Sequence, residues 1–455
     1  MAGSHISLDV PIRAVAIAFF AVACMGSRLA QAEAPGYQIK VGVLGSDNIQ
    51  RLPSGGTDET IGTEELDFTW HDKRPWLDAD INADVSHLDY FRHTYSDEFV
   101  GNFIGQARVT LVPQLVSWNF SDNFGQAPLD PLAPITPENL QNINYLTTGP
   151  ELTLPLGRTT YLDVTGQYGR VTFQQDPLDS TRLTGAVGLL HEISPVSSIS
   201  ITARDERVDY ANVQLNPDYE VEEGFARFDT KGSRTELGVD LGYSRVQMSG
   251  SHDGTPLVRV DLSRRLSASS TFGVALGHDY SDGADTFRLV QGLGGANLNA
   301  QPIVESRAPF VDTFATLAWN FTRARTTLQF SASYFRDRYQ TDATQNNDRA
   351  VVDVTAARQI TPALQLALSE RAVRWQFNDG FNMQGSAATE SDAYLQLTWR
   401  VGNHLSIFAA YYLSNGRSDI PTFNYTESRV WLAIGYGRAA EVPPGPPPVR
   451  LPVMQ

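Results

Sequence analysis

Long segments of this sequence alternate strictly between apolar and polar residues. From Leu77 to Val85 every odd position is apolar, and every even position is Asp or Asn. A β-strand places two such sets on opposite faces, whereas a helix would mix them around its circumference. The same separation recurs in segments 199–204, 236–243, 258–263, 328–334 and 395–400. The chain is therefore expected to fold into amphipathic strands.

The length of these segments favours a membrane-spanning sheet. The clearest segments run to about nine to eleven residues, which is the length of a tilted strand that crosses a bilayer. Strands of soluble β-sandwiches also alternate but are usually shorter. Some segments continue into charged ends, at 204–207 and 336–338, which suits strands that protrude from the membrane into water.

Two classes of connection alternate along the chain. The short links are Asp72–Pro75, Val112–Gln114, Gly157–Arg158, Ser194–Ser197, Lys231–Ser233, Ser267–Ser269, Thr322–Arg325, Thr361–Ala363 and Gly402–His404. The other class comprises Ile49–Thr60, His93–Asp97, Gly125–Asn144, Asp176–Asp179, Gln214–Asp218, Ser249–Pro256, Ser281–Pro309, Thr341–Asn347, Asn378–Ser391 and Ser414–Tyr425. Short periplasmic turns opposite longer extracellular loops are typical of outer-membrane barrels.

These connections predict the fold class. Nineteen links imply about twenty strands, with an expected range of roughly 16 to 22, because strand boundaries are the least certain feature of a sequence. We expect an all-β protein, a transmembrane antiparallel up-and-down β-barrel over residues 33–438. An even strand number places both ends of the barrel in the periplasm, and the protein in the bacterial outer membrane.

Both ends of the chain lie outside the predicted barrel. Arg13 precedes the apolar run Ala14–Met25, and the small-residue site Ala30-Gln31-Ala32 follows. These are the parts of a secretory signal peptide, residues 1–32; a buried N-terminal helix and lipidation at Cys24 are the alternatives. Residues 439–455 carry a proline-rich run that cannot pair in a sheet, and we expect a periplasmic tail, either a remnant or a tether.

Composition excludes several function classes. A single cysteine excludes a disulfide scaffold, and 35 Lys+Arg against 51 Asp+Glu argues against a nucleic-acid binder. The eight histidines form no familiar metal-ligand spacing, and no nucleophile-elbow motif is present. No catalytic, cofactor-binding or metal-binding residues are assigned, and no cofactor is expected. A catalytic pair at the barrel rim stays open as an alternative for His93 and His278.

The polar face of a barrel lines its lumen, which at about twenty strands has room for an aqueous channel unless loops plug it. A mixed lining is compatible both with internal ion pairs that stiffen the barrel and with a hydrophilic conduit. The longest loop, Ser281–Pro309, is long enough to occlude the pore. The candidate lumen-lining residues are Asp78, Asp80, Asp84, Arg108, Asp163, Arg182, Glu236, Asp240, Arg259, Asp261, Asp353, Arg371 and Arg400.

Five of the seven tryptophans fall close to predicted short turns. Indole rings prefer the boundary between membrane and water, so this clustering indicates an aromatic girdle at the periplasmic rim. The alternative is that they are core aromatics of a soluble β-protein. The girdle residues are Trp70, Trp76, Trp118, Trp319 and Trp399.

One segment carries a family resemblance. The stretch W-N-F-S-D-N-F-G-Q over residues 118–126, followed by a proline-rich loop, resembles outer-membrane β-barrel proteins associated with PEP-CTERM/exosortase and exopolysaccharide gene clusters. The segment 193–195 and the strand 256–264 resemble the same family. The resemblance covers most of the mature chain, and the family carries no established catalytic residues.

The resemblance implies a barrel that acts in exopolysaccharide secretion, as a passive conduit or as an accessory to one. Its implied partners, besides outer-membrane lipid, are the exopolysaccharide and periplasmic export components. Two alternatives stay open. One is a general diffusion porin whose loops fold inward, and the other is a structural or adhesion barrel that acts through its extracellular loops.

Overall fold

The computed structural model describes residues 35–175, 177–214, 216–292, 309–340, 343–381 and 385–438. The predicted signal peptide and the proline-rich tail lie outside these residues. Within the described ranges, no helix is long and apolar enough to cross a membrane.

Twenty antiparallel strands form one sheet. Their bounds are β1 Gly36–Ser46, β2 Glu59–Arg74, β3 Leu77–Tyr90, β4 Glu98–Val112, β5 Val116–Pro128, β6 Leu140–Pro155, β7 Thr160–Phe173, β8 Ser180–Ser194, β9 Ser197–Tyr210, β10 Tyr219–Lys231, β11 Thr235–Met248, β12 Ser251–Ser267, β13 Ser270–Ser281, β14 Phe310–Arg323, β15 Thr326–Tyr339, β16 Asn347–Thr361, β17 Leu364–Phe381, β18 Gly385–Arg400, β19 Leu405–Ser418 and β20 Tyr425–Arg438. A helix, α1, spans Gly283–Gly292, and single 3-10 turns lie at Pro137–Asn139, Ala343–Gln345 and Pro421–Phe423.

The sheet closes on itself. Each strand pairs with its neighbours in sequence, and β1 also pairs with β20, from Tyr37 opposite Arg438 to Ser46 opposite Arg429. No edge strand is left, so the backbone groups of all twenty strands find partners within the barrel. The predicted fold class and the predicted strand number are confirmed.

The two faces of the sheet differ as the alternation predicts. On β1 the side chains of Tyr37, Ile39, Val41 and Val43 point outward and are 39–58% exposed. Their neighbours Gln38 and Lys40 point into the lumen. Outward apolar residues of this kind recur around the ring and form a continuous belt. A closed barrel with an apolar belt is the architecture that fits a bilayer, and this protein is a bacterial outer-membrane β-barrel.

The cross-strand register fixes which residues share a face. On β3, Leu77 and Ile81 belong to the outward set, whereas Asp80 shares the lumen face with its partners on β2 and β4. On β11 and β18 the outward set includes Leu237, Leu241 and Leu395, and the lumen set includes Asp240 and Gln396.

The turns confirm the predicted asymmetry, with two corrections. All nine links at one end of the barrel are short. At the other end, the predicted loop Ser249–Pro256 is wrong, because the link is only Ser249 and Gly250, with φ of 49° and 81°. Two consecutive positive φ values make a tight hairpin turn. Strands β17 and β18 likewise extend into the predicted loop Asn378–Ser391. Both hairpins continue past the apolar belt, where the sequence no longer alternates.

The tryptophans divide by position. Trp70, Trp118, Trp319 and Trp399 lie near the short turns, in register with outward residues, and Trp76 lies in a short turn. The other two, Trp375 and Trp431, are buried on the lumen side. The five residues of the proposed girdle therefore share one rim, which the short turns identify as the periplasmic rim.

Adjacent residues of β18 allow a test of the two faces. Leu395→Arg places a charge in the lipid and should lower the free energy of unfolding by about 2–4 kcal/mol, the cost of arginine near the bilayer midplane. Gln396→Arg places the same charge in the lumen and should change the free energy of unfolding little. Unfolding by guanidinium in lipid vesicles measures the free energy of unfolding of both variants. Equal losses of stability would contradict the assignment of Leu395 to the lipid face and Gln396 to the lumen face.

Candidate functional site in the barrel lumen

The lumen is not uniform along its axis. On β16 the exposure of lumen-facing residues falls towards the loop end: the side chain of Asp353 is 38% exposed, whereas Val351 is 7% and Arg349 is 1% exposed. The lumen-facing Asp78 and Asp80, near the short turns, are also well exposed. The inner wall is therefore open at the periplasmic half and covered at the loop half.

The first covering segment is the loop between β1 and β2. Arg51 in this loop is buried, with Nη1 2.8 Å from Glu390 Oε1 and Nε 3.0 Å from Glu427 Oε2. Its guanidinium also stacks 4.8 Å from the ring centroid of Tyr425. Asn48 donates a hydrogen bond to the carbonyl of Thr426. The loop is thus bound by charge to the inner wall of β18 and β20.

The second covering segment is the loop between β5 and β6. Leu132 at its tip is buried in an apolar cluster on the inner wall of β13–β17, whose other members are Ala275, Phe314, Phe335, Val351, Val373, Trp375 and Phe377. Asn139 holds the loop together by donating to the carbonyls of Asp130 and Pro134. Since β5 and β13–β17 lie on different sides of the ring, this loop reaches across the lumen.

Loop residues also contact one another in this half. Burial and the nearby carboxylate of Glu138 raise the pKa of Tyr95 to about 12. Burial likewise raises the pKa of Asp130, although its carboxyl accepts backbone hydrogen bonds that lower it. Tyr95 lies between β3 and β4, so a third loop adjoins the crossing segment.

Helix α1 covers the opposite wall. Phe287 and Ala284 are buried against Ile143, Tyr145 and Val171 on the inner wall of β6 and β7. The helix begins beside Asp282, whose Oδ1 accepts a hydrogen bond from the backbone N–H of Asp285 at 2.9 Å. This is a helix N-cap, and Asp285 also places negative charge in the first turn, where the helix dipole favours it.

Arg182 anchors α1 to the barrel. The guanidinium of this β8 residue bonds Asp282 and lies 3.2 Å from Asp285 and 3.3 Å from Glu206. Tyr219 donates to Asp282 at 2.6 Å, and all these groups except Asp285 are buried. Arg182 therefore binds two carboxylates from α1 and its cap, together with one from β9, and Arg204 and Arg288 help to compensate the charge through Glu206 and Asp285.

The ion pairs continue along the wall of β9–β13. Arg204 bonds Glu206 and lies 3.1 Å from Glu223. Arg259 lies 2.8 Å from the other oxygen of Glu223 and bonds Asp279. Arginines and carboxylates alternate here, so the chain of charges is compensated locally.

Arg227 forms a second group nearer the periplasm. Its guanidinium lies 2.6 Å from Asp229, 2.9 Å from Asp240 and 3.4 Å from Asp261. Three carboxylates around one arginine leave an excess of negative charge on this part of the wall.

The acidic residues on the lumen wall of β3 have weaker ion-pair partners than those of β9–β13. Asp78 lies 3.6 Å from the exposed Lys73, and Asp80 lies 3.8 Å from His71 and accepts a hydrogen bond from Asn82 at 2.9 Å. Asp84 faces Asp67 across the strands, and Asp67 lies 2.8 Å from Lys40. No arginine of the described residues locks onto these three aspartates, and the half-exposed Asp78 and Asp80 are solvated.

The remaining candidate residues also lie on the lumen face. Arg108 lies 2.9 Å from Glu151, and Arg371 lies 3.3 Å from Asp353. Asp163 faces a cavity in the lumen. By register, Glu236 and Arg400 share the lumen face near the short turns.

This cavity has a volume of about 450 Å³ and lies under α1. Its wall runs from Arg108 and Glu151 past Thr202 and Arg227 to Asp285 and Phe314, and most of its lining residues are charged or bear a hydroxyl group. The cavity meets the open periplasmic half of the lumen and ends at the helix.

Sequence reasoning missed the groups that close the loop half. Helix α1 lay within the predicted loop Ser281–Pro309, although Asp282 followed by apolar residues at 284 and 287 is the signature of a capped helix. The charged segment 204–207 predicts a strand end that protrudes into water. Continuing the alternation places Arg204 and Glu206 in the lumen, and only Asp205 and Arg207 outside. Leu132 and Arg51 gave no local signal.

The histidine alternative finds little support in the described residues. The ring nitrogens of His278 lie 2.9 Å from the hydroxyl of Thr255 and 2.8 Å from that of Thr313, and His93 is exposed in a loop. Among the described residues, no group of three or more His, Cys, Asp or Glu side chains is placed to hold a metal ion.

Comparisons with known proteins give structural likeness only. No protein-family model matches the sequence, and no curated protein matches it. The ferric enterobactin receptor PfeA of Pseudomonas aeruginosa is 9% identical with a TM-score of 0.45, over 90% of this chain and 81% of that one. The FrpB iron transporter of Neisseria meningitidis is 8% identical with a TM-score of 0.43, over 90% and 82%. OpdK of P. aeruginosa, solved with vanillate, is 10% identical with a TM-score of 0.36, over 89% and 97%.

Replacing Arg182 tests the anchoring of α1. Arg182→Ala leaves buried carboxylates unpaired, and removal of one member of a buried ion pair costs about 3–5 kcal/mol. We expect α1 to detach and become sensitive to protease while the barrel stays folded. Arg207→Ala removes an exposed arginine paired with Asp209 and serves as the control. Protection of α1 in both variants would mean that apolar packing alone holds it.

Proposed function

We propose that this barrel is a passive channel for small polar solutes, constricted on its extracellular side by inward-folded segments. The observation that carries the proposal is the open, polar periplasmic half of the lumen, which leads to a half covered by two loops and α1. A path narrowed in this way suits small solutes better than a wide polymer.

The charges that line the open half of the lumen determine which ions the channel prefers. The row of Asp78, Asp80 and Asp84 lacks arginine partners and Asp78 and Asp80 are solvated, whereas the arginines of the opposite wall are bound by carboxylates. The first two carboxylates lie about 7 Å apart along the strand. Unpaired charge in a narrow aqueous path attracts counter-ions, so the channel should prefer cations and neutral polar solutes.

Conductance in planar bilayers tests this proposal. Wild-type protein should conduct with a cation-selective reversal potential in a salt gradient. The triple variant Asp78→Asn, Asp80→Asn and Asp84→Asn should lower that selectivity without loss of thermal stability. The control Asp89→Asn, Asp205→Asn and Asp209→Asn removes the same charge from the outward face and should leave selectivity unchanged.

The variant Arg182→Ala, which removes the anchor of α1, completes the conductance test. Arg182→Ala should raise the conductance because α1 no longer covers the lumen. Absence of conductance from both the wild-type protein and Arg182→Ala would refute the channel, and would favour a structural or adhesion barrel that acts through its loops.

A second candidate function rests on the resemblance of residues 118–126 to barrels of exopolysaccharide gene clusters. This segment forms most of β5 and leads directly into the loop that crosses the lumen. Under this proposal the barrel assists exopolysaccharide secretion, as a conduit that opens when its loops move or as an accessory, and periplasmic export components are its partners.

Gene deletion separates the two candidates. A secretion role predicts that deletion lowers secreted polysaccharide several-fold and that plasmid-borne wild-type protein restores it. A channel role alone predicts normal polysaccharide and slower entry of small polar solutes into cells. Restoration of secretion by Arg182→Ala at wild-type levels would show that closure by α1 is not needed for it.

A further inference from the structure

Charged residues face outward at the loop end of the barrel. Arg374 on β17 and Arg336 on β15 each lie ten residues above the first residue of their strand at the short turns. With the strand rise and a tilt near 40°, this places them about 25 Å above the periplasmic rim, at the upper edge of the apolar belt. That edge meets the headgroups of the outer leaflet.

Three exposed arginines share this edge on one side of the barrel. Arg374 lies opposite Thr389 of β18, which lies opposite Arg417 of β19. Arg374 and Arg417 are therefore two strands apart, about 10 Å. Arg336 is two strands away in the other direction, and all three side chains are exposed. We name Arg336, Arg374 and Arg417 the arginine cluster.

The arginine cluster is not neutralised by the protein. In the part of the chain that the structure describes, none of its three members forms an ion pair within 4.0 Å; Asp348, which lies directly opposite Arg336 across β15 and β16, is bound by Arg338 at 2.7 Å. Arginines at the same height on the opposite side differ, because Arg207 lies 2.8 Å from Asp209 and Arg245 lies 3.9 Å from Glu222. Unpaired arginines are unexpected in a chain with a net charge of −16.

The wall below the arginine cluster is apolar and uncovered. Val352, Val354, Leu368, Leu395 and Tyr411 are each 40–51% exposed on the outward face of β16–β19. Small residues such as Ala372 and Ala393 lie between them. Acyl chains would lie against this wall while their headgroups meet the guanidinium groups.

One carboxylate interrupts the wall. Glu370 points outward on β17, four residues below Arg374, which is about 13 Å along the strand. At that distance it does not neutralise the arginine cluster, and it lies below the level of the headgroups.

We propose that the arginine cluster binds the phosphate groups of a phosphorylated glycolipid in the outer leaflet, whose acyl chains pack on the apolar wall of β16–β19. Guanidinium groups bind phosphate in a bidentate manner. Three of them, spread over four strand spacings, suit a headgroup with more than one phosphate better than a single phosphate ion. The site is separate from the lumen and does not depend on the transport proposal.

The test measures lipid binding to the full mature barrel in detergent. The probes are bisphosphorylated lipid A, the same lipid after phosphatase treatment, and phosphatidylglycerol. The variant Arg336→Gln, Arg374→Gln and Arg417→Gln should bind bisphosphorylated lipid A about 10- to 100-fold more weakly than wild-type protein, from three contacts of up to about 1 kcal/mol each. Phosphatase treatment of the lipid should abolish the difference between the two proteins.

Matched variants guard against indirect effects. Arg207→Gln with Arg245→Gln changes exposed arginines at the same height and should retain wild-type binding. The triple Arg→Lys variant keeps the charge, should fold as the wild type does and should bind with intermediate affinity, because lysine lacks the bidentate geometry. Equal binding by the wild-type and triple Gln proteins would overturn the proposal. Equally tight binding of phosphatidylglycerol would overturn the assignment to a glycolipid.

Discussion

Every feature of this protein depends on the need to satisfy backbone hydrogen bonds in a solvent that offers none. In hydrocarbon, an unpaired N–H or C=O group costs several kcal/mol, so a sheet must close. The pairing of β1 with β20 removes the last two free edges. Closure then assigns alternate side chains to lipid and lumen, and the polar set is held in a common interior. The lumen, its ion pairs and the folded-in loops are consequences of that closure.

Local sequence was enough to predict the barrel, but not the covering of its lumen by loops and α1. The alternation on β3 and the short turns required only neighbouring residues, so strand number and facing followed from the sequence. The apolar cluster that contains Leu132 and Trp375 joins residues far apart in the chain, and no local pattern marks it. Arg51 and Glu427 are 376 residues apart. Such contacts need the barrel to exist first, and its circumference decides which walls a loop can reach.

Above the membrane, the alternation of apolar and polar residues no longer indicates which side chains face lipid. Within the belt, an apolar residue signals lipid. Beyond the belt the outward face becomes polar, and on the inner face burial by a folded-in loop replaces burial by lipid. Arg204 is buried and Arg207 exposed, although the two are three residues apart on β9. Extending the two-residue period of the strand predicts that Arg204 faces the lumen and Arg207 faces outward. It does not predict that the lumen face is covered by folded-in segments.

The covering segments are held by different forces. Arg51 uses charge, Leu132 uses apolar packing, and α1 uses both. Their anchors lie on separate walls and share few partners, so the free energies that hold them should be nearly additive. Salt weakens exposed ion pairs more than buried ones, and it strengthens apolar packing. Changes in ionic strength should therefore affect the three segments unequally.

The closing seam has a consequence for how the protein is made. Ser46 on β1 and Glu427 on β20 bond each other across 381 residues of chain. The first strand to emerge during synthesis therefore finds its second partner only after nearly the whole polypeptide exists. Until then its edge is free, and exposed strand edges pair readily with other chains. A protein with this seam has to be kept from aggregating throughout its passage across the periplasm, and its insertion completes only when the two ends of the sheet meet.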